Sequence, residues 1–245
     1  MTGVQTCALP IYNSTRSYDG GVTPQEIAES IGSRLAQDAI AAQVNGQSVD
    51  LNVPIEADAE VAILTGDSLE GHEVLLHSTA HLMAHAVKEL FPDAKVTIGP
   101  AIENRFYYDF DIDGTFSDED LVKIEKKMGE LAANDHVVTR MELTHGEAVK
   151  LFNKMNESYK VEIIEDIEGD DNISAYTQGD FTDLCRGPHV LQTGKIKYFK
   201  LLNTSGAYWR GNENNKMLQR IYGTSFSSRS EESRVGKECR SRWSP

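Results

Sequence analysis

Cysteine is scarce in this chain, with three in 245 residues: Cys7, Cys185 and Cys239. So few thiols exclude a disulfide-knit scaffold. Basic charge is scarce as well, 24 Lys+Arg against 38 Asp+Glu, for a formal net charge of −14. A chain this acidic offers no broad basic field for nucleic acid, so any RNA contact must be local or lie elsewhere in the protein. No apolar run reaches the roughly 20 residues of a membrane-spanning helix. The apolar stretch 7–11 is too short for a secretory leader and lacks its basic flank. Internal repeats and low-complexity tracts are absent too. These absences leave a cytoplasmic globular protein with no membrane partner as the expectation.

The two ends read differently from the rest. Residues 1–11 (MTGVQTCALPI) and 229–245 (RSEESRVGKECRSRWSP) resemble translated sequencing-library adapters, lack apolar periodicity, and are expected to lie outside the fold. The tail from 229 holds five basic and three acidic residues, so the stretch 12–228 is more acidic still, at −16. Cys185 is then the one natural cysteine, which fits a reducing compartment. The natural stretch reads as an internal piece of a longer protein, long enough for one large or two modest domains.

Residues 12–66 read as a small α+β unit. Thr23-Pro24-Gln25-Glu26 is a capping box with proline at the first helical position, followed by Ile27, Ile31 and Leu35 at four-residue spacing. Residues 41–44, then Asn45-Gly46, then Val49, Leu51 and Val53 spell a hairpin with a primed turn, and residues 61–64 a buried strand. Strands around one helix suggest a ubiquitin-like β-grasp. Gly66-Asp67 opens a polar connection to a second α+β unit, residues 67–228. There a helix runs from about 71 and stops at Phe91-Pro92, strands cover 96–98 and 106–112, and Ser117 caps a helix through about 133. A strand at 137–143 precedes a capping box at Thr144 with a helix to about 155. Strands are expected at 159–164, 196–202 and 218–221.

Soft ligand atoms recur at a matching interval in two distant places. His77 and His81 stand four residues apart on the expected helix, so they share a face, with His85 one turn further. Asp183-Leu184-Cys185-Arg186-Gly187-Pro188-His189 carries a second pair, Cys185 and His189, in what reads as a shaped loop. A polar helical stripe would explain the first pair alone, and a small buried hydrophobe would explain Cys185 alone. Together they point to a zinc site or a hydrolytic pocket. His-Ser-Thr-Ala-His lacks the glutamate that a zincin places between its histidines. A Cys185 nucleophile is disfavoured, because Asp183 would raise the thiol's pKa. From composition alone Lys160 is a solvated surface lysine, and His72, His136 and His145 are structural.

The segments HSTAHLMAHAVKELFP, IGPAIENRFYYDFD, ESYKVEII, DLCRGPHV and GAYWRGNENNKMLQRIYGTSF resemble, in order, the amino-terminal half of bacterial threonyl-tRNA synthetases. The resemblance covers residues 12–228. It implies a β-grasp TGS domain over 12–66, then over 67–228 an α+β tRNA-editing domain of the threonyl/alanyl-tRNA synthetase type. The catalytic core, with its ATP, magnesium and zinc, and the anticodon-binding domain would follow in the parent enzyme, a homodimer. Carried over by position, the editing pocket falls on His77, His81, Lys160, Asp183, Cys185 and His189. The substrate it implies is seryl-tRNA(Thr), gripped by its acceptor end. No cofactor is expected for this stretch. Zinc, held by His77, His81, Cys185 and His189 as in the alanyl relatives, is the alternative, and a non-catalytic tRNA-binding module is another. Tyr107, Tyr108, Tyr208, Trp209 and Arg210 read equally as core residues or as a stacking surface for a single-stranded CCA end.

Overall fold

Thr23 Oγ1 accepts the Glu26 N–H while the Glu26 carboxylate takes the Thr23 N–H at 2.8 Å, so the first helix begins where its capping box places it. The computed structural model describes residues 4–8, 14–167 and 172–228. They fall into two compact units: one takes the chain up to Leu75 together with Gly187–Leu191, the other Leu76–Arg186 and the chain from Gln192. The division thus falls inside a helix and not at 66/67, because contacts and not chain order define a unit.

In the first unit, strands β1 (Val4–Ala8) and β2 (Ser14–Tyr18) precede helices α1 (Pro24–Ile31) and α2 (Ser33–Asp38). Strands β3 (Ala39–Val44), β4 (Gln47–Val49) and β5 (Ala59–Thr65) complete a sheet of order β2-β1-β5-β3-β4, with β1 parallel to β5. That mixed order with a helix across the sheet is a β-grasp. Asn45 and Gly46 have φ of 52° and 80°, the left-handed pair that a primed hairpin turn requires. Ile27 and Ala28 of α1 pack with Leu51 and Val61, all without exposure. The reading of residues 1–11 as outside the fold needs correction, since Val4–Ala8 pair with both β2 and β5. Strand pairing draws on backbone donors and acceptors that any such sequence carries. The other suspected end, 229–245, lies outside the described residues.

Helix α3 (Leu69–Leu90) leads into the second unit. There β6 (Lys95–Val96), β7 (Ala101–Ile102) and β8 (Arg105–Asp111) precede α4 (Asp118–Ala133), which Ser117 caps. Next come β9 (Val138–Leu143), α5 (His145–Lys154) and α6 (Ser158–Glu165), and then β10 (Ile173–Gln178) and β11 (Phe181–Leu184). The long antiparallel pair β12 (Tyr198–Tyr208) and β13 (Met217–Phe226) follows. One sheet runs β12-β13-β8-β6, the other β11-β10-β9. Among the described residues no helix is long and apolar enough to cross a membrane.

Two local readings are corrected here. Residues 159–164, expected as a strand, lie in helix α6. Their β-branched residues favour strands, but Lys160 and Ile164 are the buried positions, and that interval of four is helical. Asp183, expected in a loop, lies in β11, and the Cys185 N–H extends the ladder to Ser174 O at 3.1 Å.

Candidate functional site

Helix α3 supplies two ring systems on one face. The centroids of His77 and His81 stand 4.8 Å apart, the neighbour geometry of positions i and i+4. Strand β11 and the residue after it bring Asp183 and Cys185 to that face. His77 Nε2 lies 2.9 Å from Cys185 Sγ across 108 residues of chain, and His81 Nδ1 lies 3.3 Å from Asp183 Oδ2. Ser174 fixes Cys185 further by donating to its carbonyl at 2.6 Å. Gln178 holds the helix from the same sheet through a 3.2 Å bond to His81 O.

Lys160 comes from α6 and is not a surface lysine: it is 2% exposed, with its ammonium 2.5 Å from Asp183 Oδ1. It also donates to Tyr108 Oη at 3.0 Å, and that hydroxyl donates to Asp183 Oδ2 at 2.6 Å. Lysine, aspartate and tyrosine therefore close a triangle of one ion pair and two hydrogen bonds beside the histidines. Burying a carboxylate and an ammonium carries a desolvation penalty, which this pairing offsets. Helix α6 is aimed by Glu157, whose carbonyl accepts the Lys160 N–H at 3.1 Å. Its buried carboxylate meets Lys88 Nζ at 2.7 Å and the Val96 N–H at 3.0 Å.

The surroundings set the protonation states. The His77 pKa lies at about 4, lowered chiefly by burial and also by Lys160, while Asp183 and a bond to the Gly99 backbone oppose the shift. Burial, His77 and Lys160 hold His81 well below the ordinary histidine value. Both imidazoles are neutral at pH 7. A backbone bond that raises a histidine pKa is one the ring donates. His77 thus presents a neutral ring with one nitrogen tied to Gly99 and Nε2 turned to Cys185. Burial and Asp183 push the Tyr108 phenol far up, so it stays a donor.

These groups line one wall of a cleft of about 340 Å³, whose other wall is the apolar Ile98, Pro100, Ile163 and Leu184. Gly99 is needed at the turn between them, because a Cβ there would stand 2.1 Å from the Tyr108 ring. Gly99→Ala is accordingly expected to displace Tyr108 and lower stability by about 1–3 kcal/mol in urea unfolding. An unchanged midpoint would show that the ring is not wedged.

Of the six pocket residues named from sequence, His77, His81, Lys160, Asp183 and Cys185 converge within the second unit. His189 belongs to the first, buried, with its N–H donating to Asp50 Oδ1 at 2.7 Å. Of the two readings of Tyr108, core residue or stacking surface, the structure gives the first: it is fully buried and belongs to the polar triangle. The signal was a tyrosine at the centre of the stripe Phe106, Tyr108, Phe110, where the hydroxyl must find a partner. Trp209 is likewise a core residue, 6% exposed with its indole N–H bonded to Glu162 at 3.1 Å. Tyr107 lies under the Arg220 guanidinium at 3.7 Å, itself held bidentately by Asp109, so one of its faces is already taken. Arg210 pairs with Glu162 and Asp166, and Tyr208 is 42% exposed.

The donor types of His77, His81 and Cys185 suit zinc. Their ligand atoms lie within 4.8 Å of one another, close enough to share one ion.

Comparison with known proteins gives two family matches: residues 12–65 to the TGS domain, and residues 173–222 to the threonyl and alanyl tRNA synthetase second additional domain. The chain is 55% identical over 219 residues to a threonine–tRNA ligase from Janthinobacterium sp. (strain Marseille). It is 53% identical over 218 residues to one from Acetivibrio thermocellus, and 56% over 218 to one from Citrifermentans bemidjiense. Each alignment takes in 89% of this chain and 34% of the relative, so the chain spans about a third of the length of the curated relatives it matches.

Proposed function

Because the chain carries the TGS domain and the second additional domain of threonine–tRNA ligases, we propose that its second unit hydrolyses the ester joining serine to the terminal ribose of tRNA(Thr). The parent enzyme would attach threonine to tRNA(Thr) with ATP, as a homodimer, in parts of the protein beyond these residues. Serine lacks only one methyl of threonine. One methyl is worth roughly 1–3 kcal/mol, about 10- to 200-fold, so a synthetic pocket sized for threonine admits serine. A second pocket that accepts serine and crowds out the methyl supplies the missing selectivity.

The observation that carries this reading is the cleft wall itself, where a neutral imidazole, a buried ammonium and a carboxylate converge. Water oxygen adds to the ester carbonyl, the bond to the ribose oxygen breaks, and that oxygen leaves as a hydroxyl. His77 orients the ribose hydroxyl and passes the proton from the attacking water to the departing oxygen, which a neutral ring can do at pH 7. The ammonium has three donors; one goes to Tyr108, and Asp183 pairs with its charge. Its cleft-facing side serves the water and the developing oxyanion. His81, Asp183 and Cys185, all within the second unit, fix the seryl amino and hydroxyl groups. In this reading the site works without a bound metal, and His77, His81 and Cys185 are the donors that would hold zinc in the alternative.

The test is single-turnover deacylation of seryl- and threonyl-tRNA(Thr) by the chain, with metal content measured on the same sample. Serine is expected to leave about 100-fold faster than threonine or more. Absence of serine release above the buffer rate would sink the proposal in favour of a non-catalytic tRNA-binding module. Stoichiometric zinc, with activity lost to a chelator and restored by the metal, would favour the zinc-dependent alternative.

A further inference from the structure

Trp209 and Arg210, equally core residues or a stacking surface by sequence, turn their side chains to helix α6. Helix α6 spans only eight residues, and its N-cap, Glu157, makes no side-chain capping bond, so its placement depends on contacts with other elements. Its inner face carries Lys160. Its outer face is held from the turn joining β12 to β13. There Trp209 donates to both Glu162 oxygens at 3.1 and 3.3 Å, and Arg210 bridges Glu162, at 3.0 Å, and Asp166. The Tyr159 ring stands edge-on to Trp209 at 5.0 Å, and its hydroxyl joins Asp111, which Lys216 from the same turn also grips at 2.6 Å. Arg210 sits at φ 55°, a left-handed conformation that a non-glycine residue adopts at a penalty.

We propose that this turn clamps α6, with Arg210 and Trp209 acting as positioning residues that set Lys160 in the cleft. The inference rests on the deacylase reading above. Arg210, Glu162 and Asp166 are all well exposed, so their ion pairs add little to stability. Position is where they count. A catalytic group displaced by about 1 Å can forfeit up to about 100-fold in rate, so even a partial shift of α6 is readable.

Arg210→Gly separates the two roles, because glycine takes the left-handed φ freely while the guanidinium is lost. Single-turnover deacylation of seryl-tRNA(Thr) is expected to slow about three- to tenfold, with the half-saturating enzyme concentration within about twofold and the melting temperature not lowered. Glu162→Gln should slow the reaction comparably, and the double variant should be no slower than either single one, as members of one contact behave. Amide hydrogen exchange over α6 should quicken in Arg210→Gly while that over α3 does not. A rate within twofold of the parent overturns the clamp. So does a loss carried by weaker tRNA binding, the signature of direct contact with the nucleic acid. If the unsubstituted chain releases no serine, the deacylase reading falls by itself, and unchanged exchange over α6 then overturns the clamp independently.

Discussion

Replacing Lys160 by methionine is expected to lower stability by about 3–5 kcal/mol and slow serine release by 100-fold or more. Methionine matches the length of the stem, so packing survives and charge is what is removed. Asp183 then stays buried with the Tyr108 hydroxyl and the His81 ring but no cation. A buried carboxylate without its counter-charge is far worse off than a buried pair, so the effect exceeds anything a surface lysine could give. Adding Asp183→Leu should restore most of the stability, because the uncompensated charge goes, and none of the activity. Urea unfolding and single-turnover deacylation on the three variants decide the matter. Full stability in Lys160→Met alone would mean the ammonium is not buried against Asp183 at all.

Acid is expected to unfold the chain more steeply than its carboxylates alone dictate. His77 titrates near 4 in the folded chain and near 6.5 when unfolded, and His81 is displaced in the same direction. Both folded values are depressed, so the unfolded state binds the extra protons. The stabilisation is complete above about pH 6.5 and is lost as pH falls from there to about 4, where the His77 part levels off. For His77 alone the loss is about 3 kcal/mol, from roughly 2.5 pKa units. Urea unfolding at pH 7.5, 5.5 and 4.5 should show it, and His77→Gln should flatten the slope by that amount. A slope identical in parent and variant would refute a buried neutral ring. The same depressed value gives deacylation a rate that stays flat between about pH 5.5 and 7.5, with no break near 6.5.

Much of this arrangement was open to reading along the chain. The capping boxes at Thr23, Ser117 and Thr144 close as their spacing dictates, because the groups involved lie three residues apart and meet before any tertiary contact forms. The same holds for the Asn45-Gly46 turn and for the shared face of His77 and His81. Residues 159–164 were misread for the complementary reason. Their intrinsic preference is for a strand, and only burial of Lys160 and Ile164 on one side makes the helix the better solution. The strand pair of Ile173–Gln178 and Phe181–Leu184 went unread, although Gly179-Asp180 between them, with Gly179 at φ 56°, is a two-residue hairpin signal.

By itself, then, the sequence determined the helix starts, the hairpin, the β-grasp pattern and the residue types able to form a soft-donor pocket. Each rests on interactions within a few residues, or on a resemblance in side-chain order. Tertiary structure alone decided that Lys160 is buried, that Tyr108 joins it and Asp183 instead of meeting RNA, and that Trp209 and Arg210 turn toward α6. Those partners lie 23 to 75 residues apart in the chain. A side chain's charge, exposure and hydrogen bonds depend on what closes around it, and no periodicity in the neighbouring sequence encodes that closure.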